Sequence, residues 1–171
     1  IVLFGMYFAT LHAVYRKKLS RKFIWGIILF VSGALFVSYS AFSHDIFNYI
    51  FDAKIVTHYG GNPYMKKALD FPGDPMLGFM HWTHRTYPYG PGWLAITVPI
   101  SYVGLNFFLP TFYLFKLLMV GCFVGSVYFL EKILKKMKNG NPLFGMVFFA
   151  LNPFVLSEFL VSAHNDIVMM F

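Results

Sequence analysis

The chain has 171 residues, of which 58% are hydrophobic and 12% are charged. Soluble domains carry roughly 25% charged residues, so long charge-free runs here point to a polytopic membrane protein rather than one large soluble core. The net charge of +7 does not indicate nucleic acid. Nine of the fourteen Lys and Arg residues sit in two short clusters beside apolar segments, the pattern of cytoplasmic loops flanking membrane helices. The single cysteine, Cys122, excludes an internal disulfide. The chain opens on Ile1 and closes at Phe171 within apolar sequence, so we expect it to be part of a longer protein.

In chain order, residues 1–15 are apolar and helix-compatible, and they precede Arg16-Lys17-Lys18-Leu19-Ser20-Arg21-Lys22. Five positive charges in seven residues mark a cytoplasmic side. Residues 23–42 then run for twenty positions without a charge. At 1.5 Å per residue, that matches the roughly 30 Å of a hydrocarbon core. This span is expected to deliver Ser43-His44-Asp45 to the outer face.

A polar insert, residues 43–91, follows and holds four of the seven acidic residues. Asp45 to Tyr59 reads as an amphipathic helix. At 100° per residue, Asp45, Asn48, Asp52 and Tyr59 share a narrow arc, and Ile46, Ile50 and Ala53 lie away from it. Such a helix is expected to lie in the interface with its apolar side on the membrane. Gly60-Gly61-Asn62-Pro63 ends it, and residues 66–85 read as an ordered loop. The insert balances four acids against Lys54, Lys66, Lys67 and Arg85, as an external loop would.

Two apolar segments come next, separated by Pro110. The basic residues Lys132, Lys135, Lys136 and Lys138 put the end of the second in the cytoplasm, so only one of the two crosses. Residues 111–130 are assigned as the crossing. Residues 93–103 are assigned as a re-entrant or interfacial helix returning through Gly104-Leu105-Asn106. Asn139-Gly140-Asn141-Pro142 is a turn. Residues 143–163 return outward, kinked at Pro153, and His164-Asn165-Asp166 emerges on the side of Asp45 and Asp52. The fold expected is an all-α, polytopic transmembrane bundle with an external helix and loop.

Topology therefore gathers Asp45, Asp52, His164 and Asp166 on one face. Acids brought together at a membrane surface point to function, and helix capping is the plainer role for Asp45 and Asp166. Lys116 and Glu158 lie within spans, where a charge is costly unless it faces protein or a wet cavity. For Lys116 the choices are snorkelling to the interface or holding an anionic headgroup. For Glu158 they are a structural hydrogen bond or catalysis. His81 and His84 have a metal-like spacing without a third ligand, so no metal is expected. Trp82, Tyr87, Tyr89 and Trp93 read most simply as an interfacial aromatic belt, with sugar stacking as the sharper role for one of them.

Several motifs occur in order: Ser43-His44-Asp45-Ile46-Phe47-Asn48-Tyr49, Gly61-Asn62-Pro63-Tyr64, Tyr87-Pro88-Tyr89-Gly90-Pro91-Gly92-Trp93, and Leu151-Asn152-Pro153 with His164-Asn165-Asp166. Their order over nearly the whole chain resembles the GT-C superfamily of membrane glycosyltransferases, and most closely its polyprenol-phosphate-mannose-dependent mannosyltransferases. The resemblance implies a multi-pass plasma-membrane enzyme that moves a hexose, such as mannose, from a polyprenyl-phosphate carrier to a glycan or lipid-linked acceptor on the non-cytoplasmic face.

It also implies an Asp general base, which falls on Asp45, and a second acid, which falls on Asp166. Lys116 falls where relatives often carry Arg, and it keeps the charge without the bidentate fork. Asp52 or Asp166 would orient acceptor or sugar hydroxyls, with Asp52 the alternative base to Asp45, and Arg85 would assist Lys116 at the phosphate. Tyr89, Glu158, His164 and Asn165 would complete the substrate contacts. Phosphate is already a tolerable leaving group, so no cofactor is required. The rival classes are a secondary transporter, which would hold its acids near the bilayer midplane, and a non-catalytic membrane scaffold, in which the acids would be dispensable.

Overall fold

The computed structural model describes residues 1–138 and 140–171, and among them every regular element is helical. Helix α1 covers Val2–Tyr15 and α2 covers Arg21–Phe36, with the basic turn between them. Lys17 takes a left-handed φ of 56° in that turn, and the Ser20 side chain caps α2 by accepting from the Phe23 N–H at 3.3 Å. Helix α2 stops at Phe36, leaving out the last six residues of the charge-free run. Ser38 explains the stop, because both its N–H and its hydroxyl turn back onto the Leu35 carbonyl, at 3.2 and 2.7 Å.

Helix α3 is Asp45–Thr57 and α4 is Pro91–Val103, with short 3₁₀ turns at Ala68–Asp70 and Pro75–Phe79 in the loop between them. Helix α5 runs for 29 residues, Phe108–Lys136. It starts before Pro110 rather than after it. A proline in the first turn has no helical N–H bond to lose, so it opens the helix instead of dividing two segments. The turn joining α4 to α5 places both Leu105 and Asn106 at positive φ. Thr57, Ser101 and Asn106 hold that turn from the side, with Ser101 Oγ donating to Asn106 Oδ1 at 3.1 Å and Thr57 Oγ1 bonded to both. Gly104 is required here, because a Cβ would collide with the Thr111 hydroxyl.

Helix α6 (Pro142–Ala150) is followed by α7 (Pro153–Leu156), a π turn (Ser157–Val161) and α8 (Asp166–Met170). The break at Leu151-Asn152 bends the path by 53°. Asn152 caps the new helix through the Phe154 N–H at 3.0 Å, so Pro153 serves as its first residue and not as a kink inside one helix.

Among the described residues, α5 alone is long and apolar enough to cross a membrane. The bent pair Pro142–Ala150 with Pro153–Val161 reaches that length and apolarity when taken together. Helices α1 and α4 are apolar but shorter.

The chain divides into two compact units. One comprises residues 1–39 and 118–171. In it α1 and α2 pack on α6, and the core is built from Tyr7, Leu11, Ile24, Ile28, Phe123, Met146 and Leu160. Its one wholly buried carboxylate among the described residues, Glu131, is surrounded by donors. Arg21 binds it with Nε at 2.5 Å and Nη2 at 2.9 Å, Trp25 Nε1 at 3.1 Å and Lys135 Nζ at 2.5 Å. A bidentate guanidinium on a buried carboxylate fixes α2 against α5 in one register.

The other unit is residues 40–117 and is built around α3. The amphipathic pattern predicts one wet and one membrane-facing side for that helix, yet every residue from Ile46 to Ala53 is buried. Phe47 packs among Phe79, Phe108 and Phe112, and Phe51 packs on Tyr59 and Phe71. The loop is pinned to α3 by Asp74, which accepts from Lys54 Nζ, from Tyr59 Oη at 2.7 Å and from the Met76 N–H at 2.8 Å. Burial alone would raise the Asp74 carboxyl, but these donors outweigh it and hold it below its ordinary value. The stability it contributes is therefore present at neutral pH and lost as pH falls through that depressed value.

Asp74→Ala leaves the mostly buried Lys54 ammonium without its carboxylate. We expect it to cost about 3 kcal/mol, the scale for breaking one partner of a buried pair. Thermal unfolding of the purified variant, which should melt several degrees below the parent, checks this.

Candidate active site

Asp45, Asn48 and Asp52 follow one another at i, i+3 and i+7 along α3, so they share a face. Asp45 is the first residue of the helix and is half-buried. It is not the N-cap. His44 occupies that position and makes no side-chain cap bond, so the capping role considered for Asp45 reduces to a favourable place at the positive end of the helix. Its Oδ1 instead accepts from the Trp82 indole Nε1 at 3.1 Å. Asn48 Nδ2 donates to the Trp82 carbonyl at 3.2 Å, so one loop residue binds two positions of the helix.

Asp52 is 5% exposed, and its Oδ2 is buried without a hydrogen-bond partner. Burial raises its carboxyl from 3.8 to about 7, and the positive charge of Arg85 opposes the rise. At neutral pH the group is thus divided between its donor and acceptor forms. The neighbouring tyrosines feel the same surroundings: burial, with the Asp52 charge behind it, raises the Tyr87 hydroxyl, and burial also raises that of Tyr89.

The aromatic residues expected to form a belt do something else. Tyr87 and Trp93 are buried, and Tyr89 is half-buried. Their rings make a run of edge-on contacts against α3: Tyr64 to Tyr87 (5.2 Å), Tyr87 to Tyr89 (5.5 Å), Tyr89 to Tyr49 (5.5 Å) and Tyr49 to Trp93 (5.3 Å). Trp82 keeps about half its surface and gives its N–H to Asp45. The Arg85 guanidinium lies 5.9 Å from the Tyr89 ring centre, a cation–π contact. The segment is pinned by the Tyr87 N–H on the Pro63 carbonyl (2.9 Å) and the Tyr64 hydroxyl on the Tyr89 carbonyl (3.2 Å).

Lys116, on α5 and in this same unit, has no exposed surface. Its ammonium does not snorkel outward, and the protein encloses it. His81 stacks on His44 with ring centres 3.8 Å apart, and His84 sits edge-on to Trp82. Among the described residues no three His, Cys, Asp or Glu side chains converge as a metal set.

The remaining sequence candidates belong to the other unit. Glu158 lies in the π turn and His164 just after it, and Glu158 Oε2 meets His164 Nδ1 at 2.7 Å. A second bond from the His164 N–H to the Glu158 carbonyl (3.2 Å) closes the loop, and the buried Ala163 takes φ 58° to allow it. Glu158 is thus a partner of His164. Asn165 is the N-cap of α8 without a side-chain cap bond, and Asp166 is exposed in its first turn.

Sequence pattern does not single out Asp74 or Glu131. It places Asn48 on the acidic arc but gives it no role. The signals are modest: an Asp-Pro step at Asp74-Pro75, and one acid at the edge of a basic cluster at Glu131.

The comparison with protein families defines the class: the chain is a glycosyltransferase domain that acts with mannose. It belongs to the family described as alpha-(1->6)-mannopyranosyltransferase, N-terminal domain, whose model matches residues 1–171. No curated protein and no solved structure matches the chain.

Asp52 supplies a pH test. Its folded value lies above its unfolded one, so the folded state binds the extra proton between about pH 4 and 7 and stability falls as pH rises through that window. Asp52→Asn removes this dependence. Each tenfold change in proton affinity between the two states is worth about 1.4 kcal/mol. The variant should therefore gain a few kcal/mol on the parent between pH 5 and pH 8, as read from thermal unfolding at each pH.

Proposed function

We propose that this domain forms the N-terminal part of a GT-C-type enzyme of the plasma membrane. It transfers mannose from a polyprenyl-phosphate carrier to a glycan or lipid-linked acceptor on the non-cytoplasmic face. The family membership supports mannose and, through the family's description, an α-(1→6) linkage. The membrane setting is supported by α5 and the bent helix pair, and by large apolar side chains left exposed along α1 and α2, such as Leu3, Phe8, Leu29 and Phe30. The basic residues of the α1–α2 turn and of the end of α5 support a cytoplasmic side for those ends.

An α-(1→6) product uses a primary hydroxyl of the acceptor as nucleophile. In an inverting displacement, that O6 attacks C1 of the donor sugar as the bond from C1 to the phosphate oxygen breaks. The phosphate leaves with the electron pair, and the O6 proton passes to a carboxylate. Inversion to an α product requires a β-configured donor. Asp45 is the carboxylate assigned to the proton, because it combines access with orientation: it is half-exposed, and the Trp82 indole fixes one oxygen. Asp52 is too enclosed to meet an incoming hydroxyl in this way, and it orients sugar hydroxyls instead.

Lys116 and Arg85 are assigned to the departing polyprenyl phosphate. A cation kept inside protein acts on a developing anion with little screening. Tyr89, in the same unit as Asp45 and Lys116, flanks the sugar. No metal or cofactor is needed for this step, because phosphate is an adequate leaving group.

The observation that carries the proposal is the Asp45–Trp82 pair at the head of α3, in a chain matched throughout by a mannosyltransferase family. Asp45→Asn keeps an acceptor for the indole and removes the base. Assayed in membranes supplied with polyprenyl-phosphate mannose, it should lose about 10²- to 10⁴-fold in kcat with little change in thermal stability. Transfer at near the parental rate would remove Asp45 from the mechanism.

A further inference from the structure

Eight buried side-chain polar atoms among the described residues have no hydrogen-bond partner. Four are hydroxyls of Ser or Thr, at Ser32, Ser40, Thr111 and Ser126. Such hydroxyls sit on short side chains that can rotate onto nearby helix carbonyls. The other four are Asn48 Oδ1, Asp52 Oδ2, Tyr87 Oη and Trp93 Nε1, and all belong to the unit built on α3. They are connected. Asn48 and Asp52 are one helical turn apart on the same face. Tyr87 reaches the same wall through its ring contact with Tyr89, which meets Tyr49 of α3, and Trp93 reaches it through its own ring contact with Tyr49.

Each residue is at least nine-tenths buried: Asn48 is 1% exposed, Asp52 5%, Tyr87 4% and Trp93 9%. An unsatisfied buried polar group costs stability, so a fold seldom keeps several together unless something else completes them.

We propose that Asn48, Asp52 and Tyr87 form a subsite for a hexopyranose ring, with the segment Arg85–Pro91 closed over it. The inference rests on the mannosyltransferase reading above and names the residues that take the sugar in that site. The chemistry of the orphans selects this ligand class. Asn48 Oδ1 and ionised Asp52 Oδ2 only accept, and they stand on one face of one helix. The Tyr87 hydroxyl both donates and accepts. Two neighbouring sugar hydroxyls can donate to the first two, and a third sugar oxygen can take the Tyr87 proton.

The donor's phosphodiester offers only acceptors and cannot satisfy Asn48 Oδ1 or the ionised form of Asp52, so the carrier's phosphate does not belong here. The half-buried Tyr89 supplies a ring edge beside these groups, and Arg85 holds it from above. In this closed arrangement the polar atoms have almost no accessible surface, so a ring enters only when the Arg85–Pro91 segment lifts. Outside the rings, that segment is tied to the loop below by the Tyr87 N–H to Pro63 and by the Tyr64 hydroxyl to the Tyr89 carbonyl.

The donor mannose and the acceptor mannoside share this chemistry, and kinetics separate them. The test uses the full-length enzyme in lipid nanodiscs with Tyr87→Phe and Asn48→Leu. KM is measured for polyprenyl-phosphate mannose at saturating mannoside acceptor, and for the acceptor at saturating donor. The inhibition constant of sugar-free polyprenyl phosphate is measured alongside. Both variants should raise the same one of the two KM values and leave the inhibition constant unchanged. Tyr87→Phe should raise it roughly tenfold, the loss of one hydrogen bond, and Asn48→Leu by more because it also frees the Trp82 carbonyl. The substrate whose KM moves identifies the ring.

Tyr87→Phe removes only an unpartnered oxygen, so its melting temperature should equal or exceed the parent's. Unchanged KM values, or an inhibition constant that rises in step with them, would overturn the subsite.

A readout independent of turnover keeps the two proposals apart. Methyl α-mannoside should slow hydrogen exchange in peptides covering residues 85–93 of the parent and not of the variants. Protection without transfer from the polyprenyl-phosphate donor would sink the donor assignment and leave the subsite standing. Transfer without protection, and with unaltered KM in the variants, would do the reverse.

Discussion

The second unit depends on the burial of α3 on all its sides. A helix that carries Asp45, Asn48, Asp52 and Lys54 on thirteen residues is ordinarily a surface helix, with water completing its polar groups. Once it is enclosed, each polar group must be completed by protein or by ligand. Lys54 is completed by Asp74, and through Tyr59 and Met76 that one carboxylate also positions the loop that does the enclosing. Asp45 is completed in part by Trp82. Asp52 is not completed at Oδ2, and its carboxyl is raised to about 7 as a direct result of that burial. The fold and the electrostatics of the site thus have one origin.

The helix phase is legible in the sequence, and its surroundings are not. Periodicity says which residues share a face, and Asp45, Asn48 and Asp52 do so. It says nothing about what lies against that face. The apolar side of α3 suggests a membrane, but the protein itself supplies the cover through Phe79, Phe108 and Phe112. Pro110 shows a related ambiguity. A proline between apolar runs reads equally as a divider or as part of a first helical turn, and only the position of the preceding cap decides. The bend at Pro153 is legible, and the path turns by 53° there, but the start of a new helix capped by Asn152 is not. Asp74 is not legible because its partner Lys54 stands twenty residues away with no local pattern to announce the pairing. At Glu131 only the i,i+4 partner Lys135 is local, while the bidentate Arg21 lies far away in sequence.

The two buried carboxylates contrast in a way that separates structure from chemistry. Glu131 is fully enclosed and receives four donor bonds from three side chains, including a bidentate arginine. Its charge is settled, and its role is to hold two helices in register. Asp52 is almost as deeply buried, but the cation near it, Arg85, acts through space and leaves Oδ2 without a donor. A fold able to saturate one carboxylate so fully has the means to saturate another. Leaving Asp52 Oδ2 open is consistent with a partner that comes and goes.

The same contrast assigns different parts to Asp45 and Asp52 in the proposed reaction. A base must meet a hydroxyl arriving from outside and must then give up its proton once product departs, and both require access. Asp45 has that access, with one oxygen steadied by an indole that cannot itself take a proton. Asp52, divided between its two forms at neutral pH, binds a hydroxyl in either one, accepting when ionised and donating when protonated. Burial makes it a poor exchanger of protons with an incoming acceptor and a good monitor of one ring orientation. Two acids on one face of α3 are therefore not redundant: the exposed end of the helix suits proton transfer, and the enclosed middle suits recognition of the sugar.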